Sequence, residues 1–236
     1  MEMLIVNKVI LSVCSVLLFC VTLPSYAGLI LNGTRFIYDE ETSRKQVTIT
    51  NNSENKMGAQ IWIEPYDDLK GNASYTGQGH FTASPSLIKI DPGKKVQVNL
   101  VNIIDDLPKG HESIYWLNVQ EIPQKSDIDA PAIVFAQRIK VKLIYRPKGL
   151  GERYEAEQMQ LVLCDKGNLR FENATGFIFS PLSYSIEGKK TTFSKVLLPG
   201  ETILSDTVES CPEKISLELI NDFGGIKNVD FKVKGK

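Results

Sequence analysis

The sequence predicts an all-β protein built from two sandwich domains. Three observations carry that prediction. Apolar residues alternate with polar ones far more often than they recur at helical spacing. The apolar runs are short and end at proline, glycine or asparagine clusters. A polar, glycine-bearing stretch from Lys148 to Gln158 separates two such sets of runs.

In the first set, Val47 and Ile49 lead into the turn residues Asn51-Asn52-Ser53. Ile61-Trp62-Ile63 stops at Pro65. Leu87 to Ile90 ends at Asp91-Pro92-Gly93, a strong turn signal, and Val96, Val98 and Leu100 alternate after it. Ile114 to Ile122 reads as a strand stopped by Pro123, and Ile133 to Tyr145 as a long strand ending at Pro147. In the second set, strands are predicted over Gln160–Cys164, Leu169–Glu172, Phe177–Ser180, Lys195–Leu198, Ile215–Ile220 and Val229–Val233. The predicted units are residues 28–147 and 148–236, roughly 120 and 85 residues, both ordinary domain sizes.

Residues 1–27 read as a secretory signal peptide. Lys8 precedes an apolar run from Val9 to Leu23, Pro24 breaks it, and Ser25 and Ala27 are small residues suited to cleavage after Ala27. An N-terminal membrane anchor is the alternative. Cys14 and Cys20 leave with that peptide, so the exported chain keeps Cys164 and Cys211. In an oxidising compartment these favour one disulfide over two buried thiols.

Composition narrows the function. Of 236 residues, 42% are hydrophobic and 23% charged, with a net charge of -1, which excludes a mostly disordered chain and argues against a dedicated nucleic-acid binder. One apolar run is too little for a polytopic membrane protein and points to no stable membrane insertion. No nucleophile elbow, phosphate loop, dinucleotide fingerprint or metalloprotease motif occurs, so no catalytic residue, cofactor or metal is assigned. His80 and His111 read as ordinary surface histidines. Asp67-Asp68 and Asp105-Asp106 read as solvated loops rather than calcium ligands.

The long strand from Ile133 carries the sharper signal. Ile133, Phe135, Ile139, Val141 and Leu143 share one parity, and Arg138, Lys140 and Lys142 the other. A half-buried strand with a solvated basic face explains the pattern. So does an exposed edge that pairs with another chain, with a nearby cation fixing the partner's end.

Four stretches then resemble one family. They are Thr34–Tyr38, Leu107–Pro123 (LPKGHESIYWLNVQEIP), Arg138–Pro147 (RIKVKLIYRP) and Ile220–Gly225 (INDFGG). In this order they resemble the periplasmic chaperones of the bacterial chaperone–usher pilus pathway, the PapD/FimC-like family. The resemblance implies two immunoglobulin-like sandwiches in a boomerang with a cleft between them. It implies that Arg35 and Lys142 bind the C-terminal carboxylate of a pilus subunit. It makes Ile133, Phe135 and Gln137 the donor-strand positions lent to the subunit's incomplete sandwich, although Gln137 stands where a large apolar residue is usual. Glu112, Arg146 and Asp222 fall on an ionic network between the domains, and a Cys164–Cys211 bridge would lie in the second domain, as in some members. Gly110 and His111 depart from the signature, and Asn173-Ala174-Thr175-Gly176 lacks the family's turn prolines. The short link from Pro123 to Ile133 resembles the subgroup that serves pili with adhesive tips.

The expected protein is therefore a non-enzymatic, ATP-independent periplasmic chaperone. Its implied partners are pilus (fimbrial) subunits and an outer-membrane usher, and the sequence leaves open whether the free chain self-associates through its exposed edge. A secreted immunoglobulin-like adhesion or structural module is the competing expectation.

Overall fold

A computed structural model describes residues 28–66, 79–123, 135–153 and 161–235. The predicted signal peptide, Ile133, Asp67-Asp68 and nearly all of the Pro123–Ile133 link lie outside the described residues.

In chain order the first sandwich contains β1 (Leu29–Leu31), β2 (Arg35–Asp39), β3 (Lys45–Asn51), β4 (Met57–Pro65), β5 (Phe81–Ser84), β6 (Leu87–Ile90), β7 (Lys95–Asn102), β8 (Ser113–Pro123) and β9 (Arg138–Arg146). One sheet has the order β1-β3-β7-β5 and the other β2-β9-β8-β4-β6. Alternate side chains meet between the sheets. Val47, Ile49, Val98 and Leu100 from one sheet and Ala59, Ile61, Leu117, Val119 and Leu143 from the other are buried there. The Asp91-Pro92-Gly93 signal makes the turn between β6 and β7: Lys94 N–H donates to the Asp91 carbonyl at 3.0 Å, and Gly93 adopts φ 68°. Asn51 seals the next bend. Its amide donates to the Ile90 and Asn55 carbonyls, and its Oδ1 accepts from Ser53 N–H.

The second sandwich contains β10 (Leu161–Asp165), β11 (Asn168–Glu172), β12 (Pro181–Ile186), β13 (Lys189–Thr192), β14 (Thr202–Thr207), β15 (Lys214–Ile220), β16 (Ile226–Lys232) and β17 (Lys234–Gly235). Its sheets are ordered β14-β11-β10-β17 and β13-β12-β15-β16. Phe171, Phe177 and Phe179 are among its largest fully buried side chains. Cys164 and Cys211 form a disulfide with a Cα–Cα distance of 5.7 Å, joining β10 to the segment after β14.

Three strand predictions need correction. The long strand starts at Arg138, and residues 135–137 are not strand. Phe177–Ser180 and Lys195–Leu198 form no ladder and meet only at an isolated Phe179–Leu197 bridge. Their apolar residues are buried for another reason: several face a neighbouring sandwich. Ile178, Val196 and Leu198 pack with Ile37, Ile114 and Ile144 of the first sandwich, together with Tyr66. β2 is consequently buried on both faces. Phe36 and Tyr38 enter the first core, while Arg35 and Ile37 have the opposite parity and face the joint.

Candidate functional site

β9 is covered unevenly. On one side it pairs antiparallel with β8 from Arg138 to Tyr145. On the other side β2 pairs parallel with it, and only from Lys142 to Arg146. Along residues 138–141 the outer edge has no strand partner among the described residues. An unpaired run of backbone donors and acceptors is a template for an added strand.

The segment before β9 extends that edge. Phe135 is 85% exposed, so it does not pack into the protein's own core. Gln137 is fastened: its N–H donates to Glu121 Oε2 at 3.2 Å, and its carbonyl accepts from Glu121 N–H at 2.9 Å. Glu121 is itself buried and also accepts from Leu29 N–H at 2.7 Å. The side chain of Glu121, which the sequence did not single out, thus ties the start of the edge to the first strand. The cations of β9 do not form a plain solvated face. Arg138 lies over Trp62 at 5.9 Å, and Lys140 over Trp116 at 4.7 Å with Glu64 3.2 Å away.

Where β2 begins, the bare edge ends. Arg35 is the register partner of Lys142 across the β2–β9 ladder. Arg35 is 7% exposed, and its Nη1 donates to the Ile220 carbonyl at 3.3 Å. Its Nε is buried without a hydrogen-bond partner. Burial first, and then the charge of Arg153, draws the Arg35 guanidinium below its ordinary value, with Asp222 and Glu112 acting the other way.

Glu112, Arg146 and Asp222 come together at the joint. Arg146 Nε is 2.6 Å from Glu112 Oε1, and its Nη1 is 2.8 Å from Asp222 Oδ2. Glu112 is fully buried, and its Oε2 accepts from Ile178 N–H at 2.6 Å, which links the two sandwiches. Burial raises the Glu112 carboxyl above its ordinary value, against the pull of Arg146, Arg153 and the Ile178 N–H. The turn carrying Asp222 is held by Asn221, whose Oδ1 accepts from Phe223 and Gly225 N–H at 3.0 and 2.9 Å. Gly224 has φ 85°, and a Cβ there would come 2.3 Å from Thr34 Oγ1. Glycine is therefore required by the approach of this turn to the strand that carries Arg35.

Arg153 completes the cluster, and sequence reading missed it. It sits in the polar stretch read as a linker, where no pattern marks it. Its Nη2 donates to the Ile178 carbonyl at 2.9 Å, and its guanidinium stacks on Phe179 at 4.9 Å.

No group of three or more histidine, cysteine or acidic side chains is placed to hold a metal among the described residues. His80 is not the solvated histidine expected: it sits 3.0 Å from Asp106 and 3.2 Å from the Tyr115 hydroxyl, with its side chain 14% exposed. No helix among the described residues is long and apolar enough to cross a membrane.

The same residues can be set beside known proteins. Residues 28–151 match the family model described as pili and flagellar-assembly chaperone, PapD N-terminal domain. Chaperone protein FanE of Escherichia coli is 39% identical over 220 residues, covering 89% of this chain and 93% of FanE. The probable fimbrial chaperone LpfB of Escherichia coli O157:H7 is 33% identical over 215 residues, covering 86% and 89%. The fold matches a chain of the Salmonella enterica SafA pilin–SafB chaperone complex with a TM-score of 0.74, at 19% identity and 89% and 98% coverage. The chain belongs to the pilus-assembly chaperone family, and its fold is the family's pair of immunoglobulin-like sandwiches.

Proposed function

We propose that this protein is a periplasmic chaperone that caps pilus subunits by lending them a strand and passes them to an outer-membrane usher. One observation carries the reading. The open half of β9 runs from Arg138 to Val141 and stops at the Arg35–Lys142 pair. A partner strand placed in line with β2, and running as β2 does, would pair with that edge and end at the two cations. Its terminal carboxylate would meet them there, and charge-assisted hydrogen bonds would fix its register. Phe135, held outward ahead of the edge, would enter the partner's open core, together with Ile133. Gln137 contributes through its backbone tether to Glu121.

In this reading residues 1–27 address the chain to the periplasm and are removed. Residues 28–147 form the subunit-binding unit, and residues 148–236 brace it through Glu112, Arg146 and Asp222. The work is binding rather than catalysis and needs no cofactor. The FanE and LpfB relatives and the pilin complexed with SafB support the partner class.

The test is a periplasmic pull-down from the native source, with captured proteins identified by mass spectrometry. A small pilin-type protein is expected. Capture of none, where pilus subunits are demonstrably expressed, overturns the reading.

A further inference from the structure

The joint holds three guanidinium groups, those of Arg35, Arg146 and Arg153, around two carboxylates, those of Glu112 and Asp222. The oxygens are already allotted. Arg146 takes Glu112 Oε1 at 2.6 Å and Asp222 Oδ2 at 2.8 Å. Arg153 lies across the other two oxygens, with Nε 3.2 Å from Asp222 Oδ1 and Nη1 3.6 Å from Glu112 Oε2, which also accepts from Ile178 N–H at 2.6 Å. These two contacts are charge pairs without aligned hydrogen bonds. Arg153 is itself fixed by its bond to the Ile178 carbonyl and by Phe177 and Phe179 on its face.

Arg35 is left with the Ile220 backbone carbonyl as hydrogen-bond acceptor and a buried Nε that has none. It nevertheless feels all three groups: Asp222 and Glu112 attract it, and Arg153 repels it. Arg35 Nη1 is bound at the Ile220 carbonyl, two residues before Asp222 in the chain, and both carboxylates of the cluster are paired with other cations.

We infer that Arg153 is a positioning residue for the carboxylate anchor: by occupying Asp222 Oδ1 and Glu112 Oε2 it keeps Arg35 from being quenched inside the joint and leaves it for a carboxylate from outside. The inference rests on the assignment of Arg35 to a partner's carboxylate. It predicts that the charge of Arg153, more than its shape, decides whether the chain distinguishes a free C-terminus from a blocked one.

The experiment uses the full mature chain and two probes. One is an acetylated peptide of alternating threonine and valine with a free C-terminal carboxylate, and the other is the same peptide ending in an amide. The quantity read is the ratio of the two affinities. The wild type should prefer the free acid by about tenfold or more, the scale of a charge-assisted hydrogen bond. Arg153→Gln keeps a donor for Ile178 but removes the charge. It should bring the ratio close to unity while leaving binding of the amide unchanged. Arg153→Lys should keep most of the preference. The double variant Arg153→Gln, Asp222→Asn, which also removes a competing charge, should regain it, and this variant carries the test if the single one does not fold. A preference retained by Arg153→Gln, an equal loss of both affinities, or a double variant without preference overturns the inference alone. A wild type with no preference overturns the anchor assignment and the inference with it.

Discussion

Arg35 and Lys142 are register partners in the parallel β2–β9 ladder, so two cations stand side by side on the face that looks toward the second sandwich. Like charges paired across a ladder are destabilising. Arg35 is also buried, which adds a desolvation cost. A buried guanidinium hydrogen-bonded to a lone carbonyl adds little stability, and under the proposed function it would serve an incoming anion.

That relationship yields the first expected outcome. Arg35→Ala should not lower thermal stability, because it removes a buried, under-satisfied charge. It should weaken capture of a pilus subunit by at least about tenfold, the scale of one charged hydrogen bond. Thermal melts and subunit binding measured on the same preparations check both halves. A large drop in melting temperature with unchanged binding would reassign Arg35 to the joint.

Phe135 is exposed, and substituting it touches no core. Phe135→Ser should therefore shift the stability of the free chain by less than about 0.5 kcal/mol. The same change should sharply reduce subunit capture, since the side chain would fill the partner's core. Urea denaturation and pull-down separate the two effects.

Glu112 gives a pH-dependent outcome. Its carboxyl is raised in the folded protein by burial, so the folded state binds its proton more tightly than the unfolded chain does. Its contribution is therefore fully present below the ordinary glutamate value of about 4.3 and is lost as pH rises through the folded value. Glutamine does not titrate. The stability of wild type minus that of Glu112→Gln should fall with rising pH across that window. Urea midpoints at matched pH values check the slope, and a rising difference would mean that Arg146 and Arg153 outweigh burial.

The Cys164–Cys211 bridge closes a sequence separation of 47 residues. Chain entropy alone assigns such a loop about 4 kcal/mol. Replacing both cysteines with serine should lower the stability of the second sandwich by that order, and the first should be affected less. Proteolysis in urea, followed by mass spectrometry of the fragments, distinguishes them.

Much of this molecule was legible in local patterns. Alternation marked β7 because a strand buried on one face must alternate, and Asp91-Pro92-Gly93 marked a turn because glycine supplies the positive φ. The basic–apolar parity of residues 133–143 marked the β9 edge, and the resemblance of four short stretches marked Arg35, Lys142, Glu112, Arg146 and Asp222 as candidates. The pairing of Cys164 with Cys211 followed from expected export and from only two of the four cysteines lying beyond Ala27.

Other features were decided by packing between distant segments. Phe177–Ser180 reads as a strand because it is apolar, yet Ile178 is apolar because it covers Ile37 and Ile144 from another sandwich. β12, β13 and β14 went unread because Pro181, the polar run Lys189–Thr192 and the exposed Leu204 hide the alternation. The start of β2 at Arg35, and hence the open length of β9, is a matter of which strand begins where across a ladder, and no local pattern encodes that. Arg153 is the clearest case. In sequence it is one charge in a glycine-bearing linker. Its place between Asp222, Glu112 and Phe179 exists once two sandwiches close on one another, because electrostatic partners are set by distance in space and not by spacing along the chain.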